Sequence, residues 1–122
     1  MLKKILLVED DRFLRELIAK KIKSANYEVI EAIDGESAAI KVKELKPDLV
    51  LLDLILPGID GFGILAKMKE DLATSQIPVI ILSNLSQQEE VDKALKLGAA
   101  DFLIKAHFVP GEIIEKIKKI LG

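Results

Sequence analysis

Short apolar runs alternate with longer stretches of helical period from one end of the chain to the other. Ile5-Leu6-Leu7-Val8 is the first run, and it ends in Glu9-Asp10-Asp11. Leu14, Leu17, Ile18 and Ile22 then recur at helical spacing and predict a first helix that turns these four inward. Asp10 or Asp11 is placed to cap it, and Asn26 to stop it. Residues 27–32, Tyr-Glu-Val-Ile-Glu-Ala, predict a second strand whose two glutamates mark an edge position. Asp34-Gly35 opens a second helix, with Ala38, Ala39, Val42 and Leu45 inward, and Lys46-Pro47 ends it. Leu49-Val50-Leu51-Leu52 fits a strand buried on both faces, and it delivers Asp53. Beyond the Pro57-Gly58 turn, Phe62, Leu65, Met68 and Leu72 mark a third helix, followed by a loop over 73–76. Residues 77–82 form a fourth strand ending at Ser83-Asn84. Ser86-Gln87-Gln88-Glu89 reads as a capping box that opens a fourth helix. Val91, Ala94 and Leu95 form its buried side, and Gly98 closes it. Residues 100–104 make a fifth strand ending at Lys105, and after Pro110 the spacing of Ile113, Ile114, Ile117, Ile120 and Leu121 predicts an amphipathic last helix.

Strict alternation with connections of a few residues predicts an α/β fold: a parallel sheet with helices on both faces. A length of 122 residues suits one domain with one sizeable core, and residues 1–122 are expected to form it. Charge and composition narrow the partners. With 20 acidic and 18 basic residues the formal charge is −2, which gives no electrostatic argument for nucleic acid as the main partner, and no direct nucleic-acid binding is expected. The sequence has no cysteine, so disulfides, thiol chemistry and cysteine-based metal sites are excluded. The apolar runs are far shorter than the ~18 residues of a membrane span. Met1-Leu2-Lys3-Lys4-Ile5 begins like a signal peptide, but the acids at 9–11 leave too short an apolar region. A cytoplasmic location is expected.

The polar residues at the carboxyl ends of the strands carry the candidate chemistry. Glu9 and Asp10 end the first strand, Asp53 the third, Ser83 the fourth and Lys105 the fifth. Ligands of open α/β sheets bind outside these ends, where the strand order reverses. For the order 2-1-3-4-5 that point lies between the first and third strands. Three carboxylates gathered there repel one another, so a proton is retained or a cation binds. All-oxygen donors without histidine or cysteine select a hard divalent ion, Mg²⁺ above others. Lys105 adds a second positive charge and Ser83 a neutral hydroxyl. A metal, an ammonium and a hydroxyl around one carboxylate can stabilise a transferring phosphoryl group, and the carboxylate can itself accept it.

At these positions the chain resembles the receiver domains of two-component response regulators, of the chemotaxis-regulator-like type. The likeness covers the whole chain. It rests on Glu9-Asp10, Asp53, Ser83 and Lys105, on the stretch Asp53-Leu-Ile-Leu-Pro-Gly-Ile-Asp-Gly and on Gly98-Ala-Ala-Asp-Phe-Leu-Ile-Lys105. The resemblance implies a flavodoxin-like five-stranded parallel sheet of order 2-1-3-4-5 with five helices on both faces. It implies that Asp10, Asp53 and the backbone carbonyl of Ile55 bind Mg²⁺ directly, with Glu9 acting through a metal-bound water. Asp53 would take a phosphoryl group from the phosphohistidine of a sensor kinase or phosphotransfer protein. Ser83 would then move to hydrogen-bond a phosphoryl oxygen, and Phe102 would turn inward as the switch aromatic. The surface of the fourth helix, fifth strand and fifth helix would be the output face towards a protein target. The chain would work as a monomer or weak dimer and as a signalling acceptor rather than an enzyme.

The sequence departs from the family pattern in several places. Ser83 stands where threonine is commoner and keeps the hydroxyl. Asn84 stands where a small residue is usual, at the phosphate entrance. Ala106 follows Lys105 where the family usually has proline. A non-proline cis bond costs about 2.5–4 kcal/mol, so a trans peptide is expected there. Ile55 and Leu85 occupy the positions that tune dephosphorylation; both are apolar and cannot position an attacking water, so slow hydrolysis is expected. His107, the sole histidine, has no paired acid or serine nearby in sequence and reads as a solvent-exposed loop residue. Asp10, Asp11, Ser83 and Lys105 would each pass singly for a cap, a turn or a surface residue; their convergence on strand ends does not. Three other readings compete. A pseudo-receiver would need the set Asp10, Asp53, Ser83 and Lys105 to be broken. A phosphatase of the haloacid dehalogenase type would need an aspartate in place of Ile55. A flavodoxin-like cofactor binder would need a Ser/Thr/Gly-rich phosphate loop in place of Glu9-Asp10-Asp11.

Overall fold

A computed structural model describes residues 2–58, 60–84, 87–105 and 109–122. Strands β1 (Lys4–Val8), β2 (Glu28–Ala32), β3 (Leu49–Leu52), β4 (Val79–Ser83) and β5 (Asp101–Ile104) alternate with helices α1 (Arg12–Ser24), α2 (Gly35–Leu45), α3 (Gly61–Glu70), α4 (Gln88–Lys96) and α5 (Pro110–Leu121). All strand pairs are parallel, in the order β2-β1-β3-β4-β5. The expected doubly covered α/β sheet is therefore present. Central strands read as unbroken apolar runs because both of their faces are covered. Ile5 to Leu7, Leu49 to Leu52 and Val79 to Ile81 have at most 1% of their surface exposed. The edges β2 and β5 carry half-exposed positions instead.

Alternation along each strand divides the core in two. Leu6, Val8, Val50, Leu52, Val79 and Ile81 face α2, α3 and α4, where Ala38, Val42, Ile64, Leu65, Met68 and Ala94 meet them. Ile5, Leu7, Leu49, Leu51, Ile80 and Leu82 face Ile18, Ala19 and Ile22 of α1 and Ile113 and Ile117 of α5. The register brings Val8 level with Leu52, and Ser83 level with Ile104. Glu9, Asp53 and Lys105 therefore leave the sheet at one rim and share one parity, that of the α1/α5 face. Ser83 has the opposite parity, as does Phe102.

Helix ends follow the expected signals. The Asp11 carboxylate accepts from the Leu14 amide at 3.1 Å, so Asp11 rather than Asp10 caps α1. Asp34 and Asp60 cap α2 and α3 in the same way. Asn26 at φ 69° and Lys46 at φ 43° turn the chain out of α1 and α2. The capping box at 86–89 is not borne out from its helix side: Gln87 stands at the cap of α4 without a side-chain cap bond, and Ser86 lies outside the described residues. No helix among the described residues is long and apolar enough to cross a membrane.

Four residues expected to face inward do not. Leu17, Leu45, Leu72 and Leu95 are 52%, 42%, 93% and 45% exposed. On α1 the buried stripe runs through Ile18, Ala19 and Ile22, which leaves Leu17 on the flank. On α4 it passes through Ala94, with Leu97 packed behind it, so Leu95 turns outward. Leu72 lies beyond Glu70, where α3 has ended and the periodicity no longer applies. Leu45 is the last residue of α2, clear of the sheet. The second strand begins at Glu28, one residue after Tyr27, and the fourth at Val79, after Pro78, which has no N–H to give to a ladder.

Gly61 sets how close α3 comes to the sheet. It is buried, and its amide donates to the Leu54 carbonyl at 2.9 Å. A Cβ there would come within 2.5 Å of the Leu54 Cα and would also collide with the Asp53 carbonyl oxygen. The need is for space rather than for an unusual φ. Two expectations follow from this packing. Gly61→Ala should destabilise the domain by about 1–3 kcal/mol through overpacking, whereas Gly111→Ala, where a Cβ meets nothing within 4 Å, should leave the urea midpoint unchanged or slightly raised. Leu65→Ala should cost about 2–5 kcal/mol and Leu72→Ala less than about 0.5 kcal/mol in the same urea titration; equal losses would contradict the α3 packing described above.

Candidate functional site

A polar cleft opens at the carboxyl rim of the sheet. Asp10, Asp11, Asp53, Ile55, Ser83, Asn84 and Lys105 line it, and it encloses about 310 Å³. Glu9 does not line the cleft but lies beneath it, 1% exposed; Asp53 is 4% and Ser83 0% exposed, while Asp10 stands in solvent. Thus Glu9, Asp10, Asp53, Ser83 and Lys105, which end four different strands, come to one place.

Lys105 binds the two buried acids together. Its Nζ donates to Asp53 Oδ2 at 2.6 Å and to Glu9 Oε1 and Oε2 at 2.6 and 2.8 Å. The other oxygen of Asp53, Oδ1, accepts from the Ile55 amide at 3.1 Å. Buried carboxylates lose most of their hydration, so an ammonium at this distance offsets a penalty of several kcal/mol per ion. One ammonium does not balance two carboxylates. Burial pushes the Glu9 carboxyl up to about 7, and Asp53 adds to this against the pull of Lys105. Burial alone would lower the Lys105 ammonium, but its hydrogen bonds to Asp53 and Glu9 outweigh this and hold it above its ordinary value.

Glu9, Asp10 and Asp53 each offer a carboxylate oxygen, and these oxygens lie within 4.8 Å of one another. The donor set is all oxygen and short of positive charge, which fits a hard divalent cation such as Mg²⁺. Ile55 contributes its amide to Asp53 and is itself 59% exposed at the mouth. Asn84 is exposed at the same mouth. Phe102 is half-buried and packs against the core layer beneath α2, α3 and α4. On the elements of the expected output face, Lys116 of α5 pairs with Asp101 of β5 at 2.8 Å, and Leu95 of α4 is partly open to solvent. Leu85, Ala106 and His107, including the Lys105–Ala106 peptide, lie outside the described residues.

Two contributors carried no clear signal in the sequence. Gly61 closes the segment that begins at Asp53, and only the Asp60-Gly61 pair hinted at a cap followed by a close approach. Arg15 donates through Nη1 to the Glu9 carbonyl oxygen at 3.1 Å and through Nε to Glu31 Oε1 at 3.1 Å. Its spacing on α1 reads as an ordinary solvated position.

Comparison with known proteins agrees with this geometry. The family model described as "Response regulator receiver domain" matches residues 5–118. The phosphate regulon transcriptional regulatory protein PhoB of Pseudomonas aeruginosa is 36% identical over 119 residues, which is 98% of this chain and 52% of that protein. The DNA-binding dual master transcriptional regulator RpaA of Synechocystis is 33% identical over 97% of this chain and 48% of its own length. The chain thus spans about half the length of these curated relatives. Among solved structures, a response regulator from Chloroflexus aurantiacus superposes with a TM-score of 0.92 at 30% identity, covering 99% of this chain and 98% of that one. The BeF3-activated N-terminal receiver domain of Klebsiella pneumoniae RstA gives 0.87 at 30% identity, with 95% and 96% covered. With its fold, its acidic cleft and these matches together, the chain belongs to the response regulator receiver domain family.

Proposed function

We propose that this domain is a phosphorylation-controlled switch in which Asp53 accepts a phosphoryl group from a phosphohistidine on a sensor kinase or phosphotransfer protein. The observation that carries this reading is the buried Asp53 carboxylate, set at the floor of an open cleft and held by Lys105 at 2.6 Å. Asp53 Oδ2 or Oδ1 forms the new bond to phosphorus as the P–N bond to the donor imidazole breaks, and the imidazole leaves with the electron pair. Asp10, Asp53 and the Ile55 carbonyl would hold Mg²⁺, with Glu9 behind them; when bound, the ion would supply positive charge to the phosphoryl oxygens. Lys105 provides a second, fixed positive charge 2.6 Å from Asp53 Oδ2. Ser83 offers its hydroxyl to a phosphoryl oxygen. Its parity on β4 matches that of Phe102 on β5, so a shift of Ser83 is felt on the α4 side of the sheet, and Phe102 serves as the switch aromatic.

The readout is a change at the α4–β5–α5 face, towards a protein target rather than nucleic acid. The domain acts only on itself, taking up the phosphoryl group and losing it slowly in the cytoplasm. Support for slow loss comes from Ile55, whose exposed apolar side chain at the mouth cannot position a water for attack on phosphorus.

Acetyl phosphate or phosphoramidate should label the wild-type domain at Asp53 in the presence of Mg²⁺. Asp53→Asn or removal of the metal by chelation should abolish the label, and Lys105→Ala should slow its formation by roughly 10²-fold. Label that persists in Asp53→Asn would refute the assignment. The aspartyl phosphate should survive for minutes or longer with Mg²⁺ present; a lifetime of seconds would rule out the role given to Ile55.

A further inference from the structure

Arg15 stands on the first turns of α1, outside the acid cluster, with its side chain only 16% exposed. Its guanidinium is shared between two acceptors on different elements: the Glu9 carbonyl oxygen after β1 and the Glu31 carboxylate on β2, each at 3.1 Å. The Glu9 oxygen belongs to the peptide group that joins Glu9 to Asp10. That group is planar, so holding its oxygen also sets the position of the Asp10 nitrogen and Cα. The preceding peptide is held as well, because the Glu9 amide donates to the Ala32 carbonyl at 3.0 Å. The following turn is closed by the Arg15 amide on the Asp11 carbonyl at 2.9 Å and by the Asp11 cap. The β1–α1 turn carries two of the three clustered carboxylates, and Arg15 is the side chain that fastens the peptide between them. Glu31 aims the guanidinium, and its strand is tied down by Lys41, which donates to the Glu31 carbonyl.

The Arg15–Glu31 ion pair, half open on the Glu31 side, does not by itself single out Arg15. The unusual feature is the division of one rigid fork between a carboxylate and a backbone carbonyl, which a flexible ammonium reproduces poorly. We propose that Arg15 is a positioning residue of the cation site, acting through the Glu9–Asp10 peptide, with Glu31 as its anchor. This rests on the reading of Glu9, Asp10 and Asp53 as a Mg²⁺ site. Simple electrostatics demands the opposite sign. Arg15 is a positive charge near that cluster, so its loss without any effect on geometry would tighten Mg²⁺ binding.

Isothermal titration with MgCl₂ at fixed ionic strength, well below the thermal midpoint, separates the two. Wild type, Arg15→Gln, Arg15→Lys and the charge-balanced pair Arg15→Gln with Glu31→Gln are compared. Positioning predicts about tenfold weaker Mg²⁺ binding in Arg15→Gln and in the pair, with part of the affinity kept in Arg15→Lys. In ¹⁵N-edited spectra of the metal-free variants the Asp10 amide should move, which a charge effect on affinity alone does not require. Unchanged or tighter binding in Arg15→Gln overturns the proposal, and so does a loss in Arg15→Gln that the charge-balanced pair abolishes. If Arg15→Gln does not fold, Arg15→Lys decides: affinity equal to wild type with an unmoved Asp10 amide also overturns it. A wild-type domain that takes up no Mg²⁺ removes the cation-site reading itself, a failure visible before any variant is compared.

Discussion

A single ammonium shared by two buried carboxylates governs the chemistry of this domain. Lys105 lies within 2.8 Å of both Glu9 and Asp53, which β1 and β3 bring to the rim almost fully removed from water. Without it both buried carboxylates would be left with no cationic partner, and burying a carboxylate unpaired is costly. Yet one positive charge against two negative ones leaves the corner electrostatically incomplete; burial raises the Glu9 carboxyl, and Asp53 beside it adds to the rise. A site short of positive charge and lined by oxygen has an appetite for a divalent cation. In the proposed reading, Lys105 and that cation would together balance the negative charge of a phosphoryl group on Asp53.

Parallel topology makes this possible. Every strand of such a sheet ends on the same edge, so residues far apart in sequence are gathered by backbone pairing rather than by flexible side chains. Lys105 and Glu9 are 96 residues apart and still meet at hydrogen-bonding distance. Around them the loops are fixed by short-range devices. Asp11 and Asp60 cap the helices that follow the acid positions, Gly61 lets α3 press against the backbone of Asp53, and the Gly35 amide reaches the Pro57 carbonyl at 3.2 Å to tie α2 to the same loop. In the proposed reading, a site held this way would respond to a new charge with a small, directed movement rather than with disorder. Ser83 and Phe102, on the opposite sheet parity, are the residues in the proposed reading through which that movement reaches α4.

Strand content was legible because the central strands are unbroken apolar runs of four residues; their shortness and their polar or turn-forming flanks, rather than any periodicity, tell them from a buried helix. The strand-end residues were legible for the same reason: Glu9, Asp53, Ser83 and Lys105 are each the first polar residue after an apolar run, and Asp10 follows Glu9 directly. Helix faces were less so. An apolar residue one step from the stripe differs from a stripe residue by about 100° of rotation, and Leu17 and Leu95 fall on the wrong side of that margin. Only the groove between helix and sheet decides it. Leu72 looked periodic but lies past the end of its helix, where the period has no meaning.

Sequence alone determined the element order, the parallel sheet and the inventory of charged groups at its rim, because these depend on neighbours along the chain. Tertiary structure decided which of those groups touch. It put Glu9 beneath the cleft and Asp10 at its surface, gave Lys105 to both buried acids, made Gly61 a contact of Asp53, and set Arg15 against the Glu9 carbonyl. Each of these is a distance between separate strands and helices, set by register, sheet parity and helix packing together.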